Sequence, residues 1–240
     1  MHASEPFISV STGVRRFTMP SQNIRKTQSI LLQWGRENFR DYPWRHTQNP
    51  YKIMIAEFML HRTKANQVAP VYSSFIQKYP DVFSLAQADH EDVRKVTEHL
   101  GLHWRSGHFI ESARYIVKNF SGHLPDTEEK LRVVPGIGAY VAGAILAVCY
   151  GKPNPVVDSN IARFINRFWG LELCGEIRRN KEIQNIAREL FEVDDPRGFL
   201  FAILDFTAKI CKPKCPVHSI CPLKGMCIYY SEEHEAVLKG

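Results

Sequence analysis

The sequence lacks an apolar run long enough to cross a membrane. Its longest, Ala139–Tyr150, has about a dozen residues, well below the roughly 18 that a span requires. Residues 1–20 contain no apolar segment of the kind that a cleavable signal peptide needs, so we expect no export signal. Strand-like alternation, internal repeats and low-complexity segments are also missing. These absences exclude a membrane protein, a repeat array and a β-rich domain, and they indicate a soluble protein.

The composition is that of an ordinary globular protein, with 44% hydrophobic and 23% charged residues among 240. Apolar residues recur at helical spacing in ten segments between Ser21 and Ile210, so we predict an all-α fold. Residues 1–20 lack this periodicity, and we expect them to form a flexible arm. Lys and Arg outnumber Asp and Glu by 31 to 25, and the resulting net charge of +6 permits a polyanionic partner without requiring one.

Four of the six cysteines lie within seventeen residues near the C-terminus: Cys211, Cys215, Cys221 and Cys227. A tight group of cysteines in a chain without an export signal more often binds a metal than forms disulfides. Zinc or an iron–sulfur cluster is therefore expected here, and four unrelated thiols are the alternative.

Residues 131–140 form a glycine-rich turn between two helical segments. Asp126 and Glu129 are placed to form a capping box for the first helix, and Gly136 and Gly138 follow in the turn. Glycines leave backbone N–H groups accessible at the start of the second helix, where the helix dipole favours an anion such as phosphate. A simple turn that needs glycine only for its geometry is the alternative.

Three separate segments resemble one protein superfamily. Residues 134–143 (VPGIGAYVAG) and 151–163 (GKPNPVVDSNIAR) resemble the helix–hairpin–helix and Gly/Pro-Asp region of base-excision DNA glycosylases. Residues 42–60 (YPWRHTQNPYKIMIAEFML) resemble the MutY and Mig branch of that superfamily, and the cysteines after residue 204 fit its iron–sulfur loop.

The resemblance implies two helical lobes with a DNA cleft between them. Residues 42–152 would form a six-helix barrel that includes the hairpin, and residues 21–41 and 153–240 would form the iron–sulfur lobe. The implied partner is double-stranded DNA with a mismatched or damaged base, contacted at the hairpin by Gly136, Ile137 and Gly138. We expect a monomer without membrane attachment, located in the cytoplasm or on the nucleoid.

Two carboxylates are candidates for cleaving a glycosidic bond, a reaction that builds positive charge on the sugar. Glu57 lies one helical turn after Ile53 in an apolar segment, where burial would raise its pKa and keep it an acid. An ion pair of Glu57 with Arg62 or Lys52 is the alternative. Asp158 directly precedes a helix and is also a natural N-cap. The resemblance implies that Asp158 stabilises the cationic sugar or positions water, and that Glu57 occupies the position that protonates the base in the adenine-removing branch.

Tyr140 stands at the hairpin position where relatives that also cut the DNA strand carry a lysine. A lysine amine forms a Schiff base with the sugar, whereas a tyrosine hydroxyl cannot. We therefore predict a monofunctional glycosylase that leaves an abasic site; for Tyr140 itself, a packing aromatic is the alternative. His61 and Arg62 follow the helix of Glu57, where the superfamily inserts polar side chains into the DNA stack, although a solvated helix end would have the same sequence.

The sequence favours a mismatched pyrimidine as the excised base. Adenine-removing MutY enzymes typically have a glutamine pair in place of His61 and Arg62, and a long C-terminal domain, whereas this chain ends thirteen residues after Cys227. We therefore expect removal of T or U opposite G, as in Mig-type thymine-DNA glycosylases. Removal of adenine opposite G or oxidised G is the first alternative. Leu200, where both branches usually have asparagine, departs from the pattern of either.

A non-catalytic DNA-binding protein that uses only the hairpin is the second alternative. The joint presence of Glu57, Tyr140 and Asp158 in separate motifs argues against it. The three residue types supply an acid, a neutral hydroxyl and a carboxylate, which a module that only binds DNA does not need.

The metal loop departs from the family's spacing of six, two and five residues between ligands. Counted from Cys211, the second ligand position falls on a histidine, His218, and Cys215 lies three residues earlier. We expect a structural [4Fe–4S] cluster bound by Cys211, Cys215, Cys221 and Cys227, because thiolates are the usual ligands of such clusters. His218 is the alternative to Cys215, and zinc is the less favoured metal.

Overall fold

A computed structural model describes residues 21–101 and 106–232, and the arm at residues 1–20 lies outside these ranges. The predicted all-α fold is confirmed: the described ranges contain α-helices and short 3₁₀ turns and no strand. No helix within these ranges has the length and apolarity to cross a membrane. The α-helices are α1 (Ser21–Asn38), α2 (Pro50–Leu60), α3 (Ala65–Lys78), α4 (Val82–Ala86), α5 (His90–Thr97), α6 (Ser106–Phe120), α7 (Glu128–Arg132), α8 (Ala139–Tyr150), α9 (Ser159–Phe168), α10 (Lys181–Leu190) and α11 (Pro196–Lys209).

One apolar core connects helices from both of the expected lobes. Helix α8 is apolar on every side, packs against α2 and α11, and lies at the centre of this core. Helix α11 also packs against α1 and α9, and its buried Phe206 stacks edge-on against both Trp34 and Phe164. The buried side chains form a continuous cluster, so the core has no boundary between residues 42–152 and the rest. The division into two lobes remains a prediction.

The first helix of the hairpin is shorter than the sequence predicts. The helix expected to start at the Asp126 cap is α7, which begins at Glu128; its N-cap is Thr127, whose hydroxyl accepts from the Lys130 N–H at 3.4 Å. The prediction that Asp126 and Glu129 form a capping box is therefore wrong. The Asp126 carboxylate instead pairs with the Lys152 ammonium group at 2.6 Å, because the chain brings Lys152 back beside it after α8.

A close backbone contact positions the residues on either side of α8. A Cβ atom on Gly143 would lie 3.1 Å from the Pro155 carbonyl oxygen and 3.1 Å from a Val156 methyl group. With any side chain larger than that of glycine at this position, the segment that leads to α9 would have to shift by a few tenths of an ångström. This contact holds the start of α9 near the start of α8, while α2 packs along another side of α8.

Candidate active site

The Tyr140 hydroxyl on α8 lies within hydrogen-bonding reach of the Glu57 carboxyl group on α2, to which it can donate. The pKa of Glu57 is raised to about 7, chiefly by burial and in smaller part by the negative charge of Asp158. The hydrogen bond from Tyr140 and the positive charge of Arg45 act in the opposite direction. Neither Arg62 nor Lys52 forms an ion pair with Glu57, so the surface-pair alternative does not hold in this structure.

Tyr140 is a neutral hydroxyl donor at physiological pH. Its pKa is raised well above the ordinary value, first by burial and then by the nearby charges of Glu57 and Asp158. A hydroxyl held neutral beside two carboxyl groups can donate a hydrogen bond but cannot act as a base or form an imine.

Asp158 is the N-cap of α9, as one of the two sequence interpretations requires. One carboxylate oxygen accepts from the backbone N–H groups of Asn160 and Ile161 at 2.9 and 2.7 Å. The other accepts from the Asn160 side chain at 2.8 Å. These three donors fix the carboxylate, and its effect on the pKa values of Glu57 and Tyr140 shows that its charge lies close to both. The Asp158 carboxylate can therefore both cap α9 and act electrostatically in catalysis.

A buried ion pair between Arg45 and Asp205, which the sequence analysis did not predict, stabilises the structure next to this site. Arg45 donates two parallel hydrogen bonds to Asp205, at 2.6 and 2.8 Å, and both side chains are almost completely buried. Arg40 binds the same carboxylate from the surface side. The Arg45 guanidinium also stacks on the Phe201 ring at 4.6 Å. Through its charge, Arg45 limits how far burial can raise the pKa of Glu57.

A cavity of about 170 Å³ opens beside Glu57. Its polar lining consists of Glu57, His61 and His108, and its apolar lining includes two aromatic rings. The sequence analysis missed His108, since a single histidine in an amphipathic helix carries no signal of its own. The complete lining is Glu57, Phe58, His61, His108, Phe109, Gly136 and Val141.

The glycine hairpin borders the same cavity through Gly136. Gly136 has φ = 80°, and a Cβ atom there would lie 3.1 Å from the Phe58 ring, so both conformation and space require glycine. Gly138 is exposed with open space around it and caps α8 without any side-chain hydrogen bond. The side chain of Ile137 lies in the core, where it is 4% exposed, and its N–H donates to the Val134 carbonyl oxygen. Its contact with DNA stays a prediction.

The two polar residues predicted to enter the DNA stack follow directly after α2. His61 is the C-cap of α2 and lines the cavity, and Arg62 is exposed. Arg62 has φ = 64°, a left-handed conformation that costs a non-glycine residue about 1–2 kcal/mol. Backbone strain of this kind is concentrated at functional sites, which is consistent with a wedge at this position.

The cysteine loop is held against α9 by two arginines. Arg163 donates to the carbonyl oxygen of Cys211 at 2.8 Å, and Arg167 donates to those of Lys212 and Pro213 at 2.6 and 2.7 Å. A small concavity of about 20 Å³ lies between this loop and the core. Its possible metal-binding side chains are Cys211, His218, Cys221 and Cys227.

Cys215 does not line this concavity, and its side chain is exposed. Within residues 21–101 and 106–232, no three His, Cys, Asp or Glu side chains come close enough together to hold a single metal ion. The four side chains that line the concavity therefore do not converge on a single point.

The hairpin, the buried acid and the capped aspartate together define a helical DNA repair protein. Residues 55–193 match the model of the HhH-GPD superfamily of base excision DNA repair proteins. The chain therefore belongs to this superfamily, and the predicted resemblance is confirmed. Among the solved structures, that of a thermostable thymine-DNA glycosylase superposes with a TM-score of 0.83 at 30% identity, covering 88% of this chain and 98% of that one.

Two curated relatives with different names are similar to this chain. A thymine-DNA glycosylase of Aeropyrum pernix is 35% identical over 208 residues, which cover 85% of this chain and 93% of that protein. An adenine DNA glycosylase of Homo sapiens is 31% identical over 207 residues, which cover 82% of this chain but only 38% of that protein. This chain is thus similar to nearly the whole of the first relative and to a part of the second.

Proposed function

We propose that the protein is a monofunctional DNA glycosylase that hydrolyses the bond between deoxyribose and a mismatched T or U opposite G. The observation that carries this proposal is the electrostatic coupling of Glu57, Tyr140 and Asp158, which come from three different helices or their caps, with Glu57 lining a cavity. A non-catalytic DNA-binding protein has no need of a buried acid with a raised pKa at this place. Nearly full-length similarity to a thymine-DNA glycosylase supports the same reaction.

The two carboxyl groups are suited to opposite roles. Glu57, with a pKa of about 7, is partly protonated near neutral pH and can donate its proton to the departing base. Asp158 is held by three N–H donors and can stabilise the positive charge that develops on the sugar, or orient the attacking water. Tyr140 orients Glu57 through their hydrogen bond and offers no amine for a Schiff base, so the product is an abasic site.

The lining of the cavity favours a pyrimidine with carbonyl groups. T and U present oxygen atoms that accept hydrogen bonds, and the imidazoles of His61 and His108 can donate to them. The rings of Phe58 and Phe109 supply apolar contact for a base that has left the stack. Removal of adenine is the second candidate function, supported by the 31% identity to the human adenine DNA glycosylase.

We also propose that the cysteine loop holds a structural [4Fe–4S] cluster. Three thiols line one concavity, thiolates are the usual ligands of such a cluster, and two arginines already fix the loop against α9. A single zinc ion would need its ligands about 2.0–2.3 Å from one point. Zinc, which cysteine and histidine also bind, is the less favoured metal for this loop. The cluster would have a structural role and make the loop more rigid. Base release itself depends on Glu57, Tyr140 and Asp158.

The function is tested with duplexes that carry T, U or A opposite G or oxidised G. After incubation, one half of each sample is heated in alkali and both halves are run on a denaturing gel. We expect breakage at T or U opposite G, and only in the alkali-treated half. Breakage at A alone would favour the second candidate, and breakage without alkali would refute the monofunctional reaction.

The role of Asp158 is tested with Asp158→Asn, which keeps a side-chain oxygen for the cap of α9 but removes the charge. We expect base release to fall by orders of magnitude while binding to the same duplex stays within a few-fold. Full activity in this variant would exclude the electrostatic role.

For an enzyme of this kind, with DNA as its substrate, we propose a location in the cytoplasm, associated with the nucleoid.

A further inference from the structure

The path of the loop after α11 separates the two residues that compete for one ligand position. The Val217 N–H donates to the Ile210 carbonyl oxygen at 2.9 Å and closes residues 210–217 into a loop. His218 follows directly after this closure and begins a 3₁₀ turn, in which the Cys221 N–H donates to the His218 carbonyl oxygen at 3.2 Å. Cys215 lies inside the closed loop, on the exposed side of the chain.

The closure has a direct consequence for the side chains. His218 lines the same concavity as Cys211, Cys221 and Cys227, whereas Cys215 does not. The His218 ring packs edge-on against the Tyr230 ring, with centroids 5.0 Å apart, so it is held within the fold and does not extend into solvent. To reach the concavity, the Cys215 side chain would have to leave the exposed position that it has in the closed loop.

We propose that the ligands of the metal centre are Cys211, His218, Cys221 and Cys227, and that Cys215 is a free thiol. This inference rests on the proposed cluster and deepens it. In Rieske [2Fe–2S] centres two histidines replace two cysteines on one iron, so imidazole nitrogen is an established donor to iron–sulfur centres. Because a histidine brings no negative charge, the site carries one negative charge fewer than an all-thiolate site. Its reduction potential is accordingly higher than that of a site with four thiolates.

The test compares three variants with the wild-type protein: Cys215→Ser, His218→Ala and His218→Cys. Iron and acid-labile sulfide per chain and the visible absorption spectrum are measured on the purified proteins. We expect Cys215→Ser to keep the wild-type iron content and spectrum, and His218→Ala to lose most of its iron. His218→Cys should retain iron and show a lower reduction potential, because a fourth thiolate stabilises the oxidised form.

Two results would overturn the ligand assignment while leaving the proposed cluster intact. These are full iron in His218→Ala, and loss of iron in Cys215→Ser. Far-UV circular dichroism shows whether His218→Ala is folded, and His218→Cys distinguishes loss of a ligand from loss of the fold. Wild-type protein that contains zinc, or no iron and sulfide, would overturn both the cluster and its ligand set.

Discussion

The Arg45 guanidinium holds the Asp205 carboxylate through two parallel hydrogen bonds, 2.6 and 2.8 Å long, across 160 residues of sequence. Arg45 precedes α2, which carries Glu57, and Asp205 lies in α11, which packs against α8. The pair therefore ties together the elements on both sides of the active site. Its burial makes each partner dependent on the other, because an unpaired charge in the core is costly.

Asp205→Asn should destabilise the protein strongly. Removing one partner of a buried ion pair typically costs about 3–5 kcal/mol, and here both Arg45 and Arg40 lose their acceptor. The free energy of unfolding is measured by denaturant titration. Asp126→Asn is the control, since its pair with Lys152 is exposed and its removal should change stability little. Equal effects of the two substitutions would contradict the structural importance of the buried pair.

The rate of base release should fall as the pH rises through about 7. Glu57 acts as an acid only when protonated, and its pKa of about 7 places the loss of the proton in this range. Glu57→Gln should lose about 100-fold or more of the wild-type rate at pH 6.5 and should lack this pH dependence. Single-turnover rates between pH 5.5 and 9 measure both effects. If Glu57→Gln keeps the descending limb of the wild-type pH–rate profile, a group other than Glu57 causes that limb.

The same pKa shift predicts how stability depends on pH. Because the pKa of Glu57 is raised in the folded protein, its contribution to stability is full below about pH 4.5 and is lost as the pH rises through about 7. Relative to Glu57→Gln, the wild type should therefore lose on the order of 3 kcal/mol across this window. Denaturant titrations of both proteins at pH 4.5, 6 and 8 measure the difference. A difference that stays constant with pH would show that Glu57 has an ordinary pKa.

The sequence was sufficient for those parts of the fold and site that depend on nearby residues. The helical class, the glycine hairpin and the N-cap at Asp158 follow from local patterns, and the burial of Glu57 follows from its apolar helix. The pairing of Arg45 with Asp205 could not be predicted, because no local pattern links residues 160 positions apart. The cap expected at Asp126 failed for a similar reason, since Lys152 returns from α8 to compete for the carboxylate.

The backbone strain at Arg62 should be detectable when the stabilities of two variants are compared. Arg62→Gly relieves the left-handed backbone conformation, whereas Arg62→Ala retains it, so the glycine variant should be more stable than the alanine variant by about 1 kcal/mol. Both variants lose the side chain and should release the base more slowly from a mismatched duplex. Thermal unfolding and single-turnover rates separate the two effects. Normal rates in both variants would show that Arg62 is not a wedge.

Tyr140→Phe should move the descending limb of the pH–rate profile upward. The hydrogen bond from the Tyr140 hydroxyl stabilises the charged form of Glu57 and thus lowers the pKa of Glu57, against the larger effect of burial. Phenylalanine keeps the ring and the burial but removes the donor, so Glu57 remains protonated to higher pH. The same single-turnover measurement, extended to pH 10, detects the shift.

The direction of this shift distinguishes two roles for Tyr140. If the tyrosine only packs against its neighbours, the descending limb stays at the same pH. The rate of the variant then differs from the wild-type rate by the same factor at every pH. If the hydroxyl positions the acid, the limb moves upward and the variant loses rate chiefly below pH 7, where the wild-type Glu57 is already protonated and correctly oriented. A downward shift is expected from neither role and would mean that the hydroxyl oxygen accepts a hydrogen bond from protonated Glu57 instead of donating one to the carboxylate.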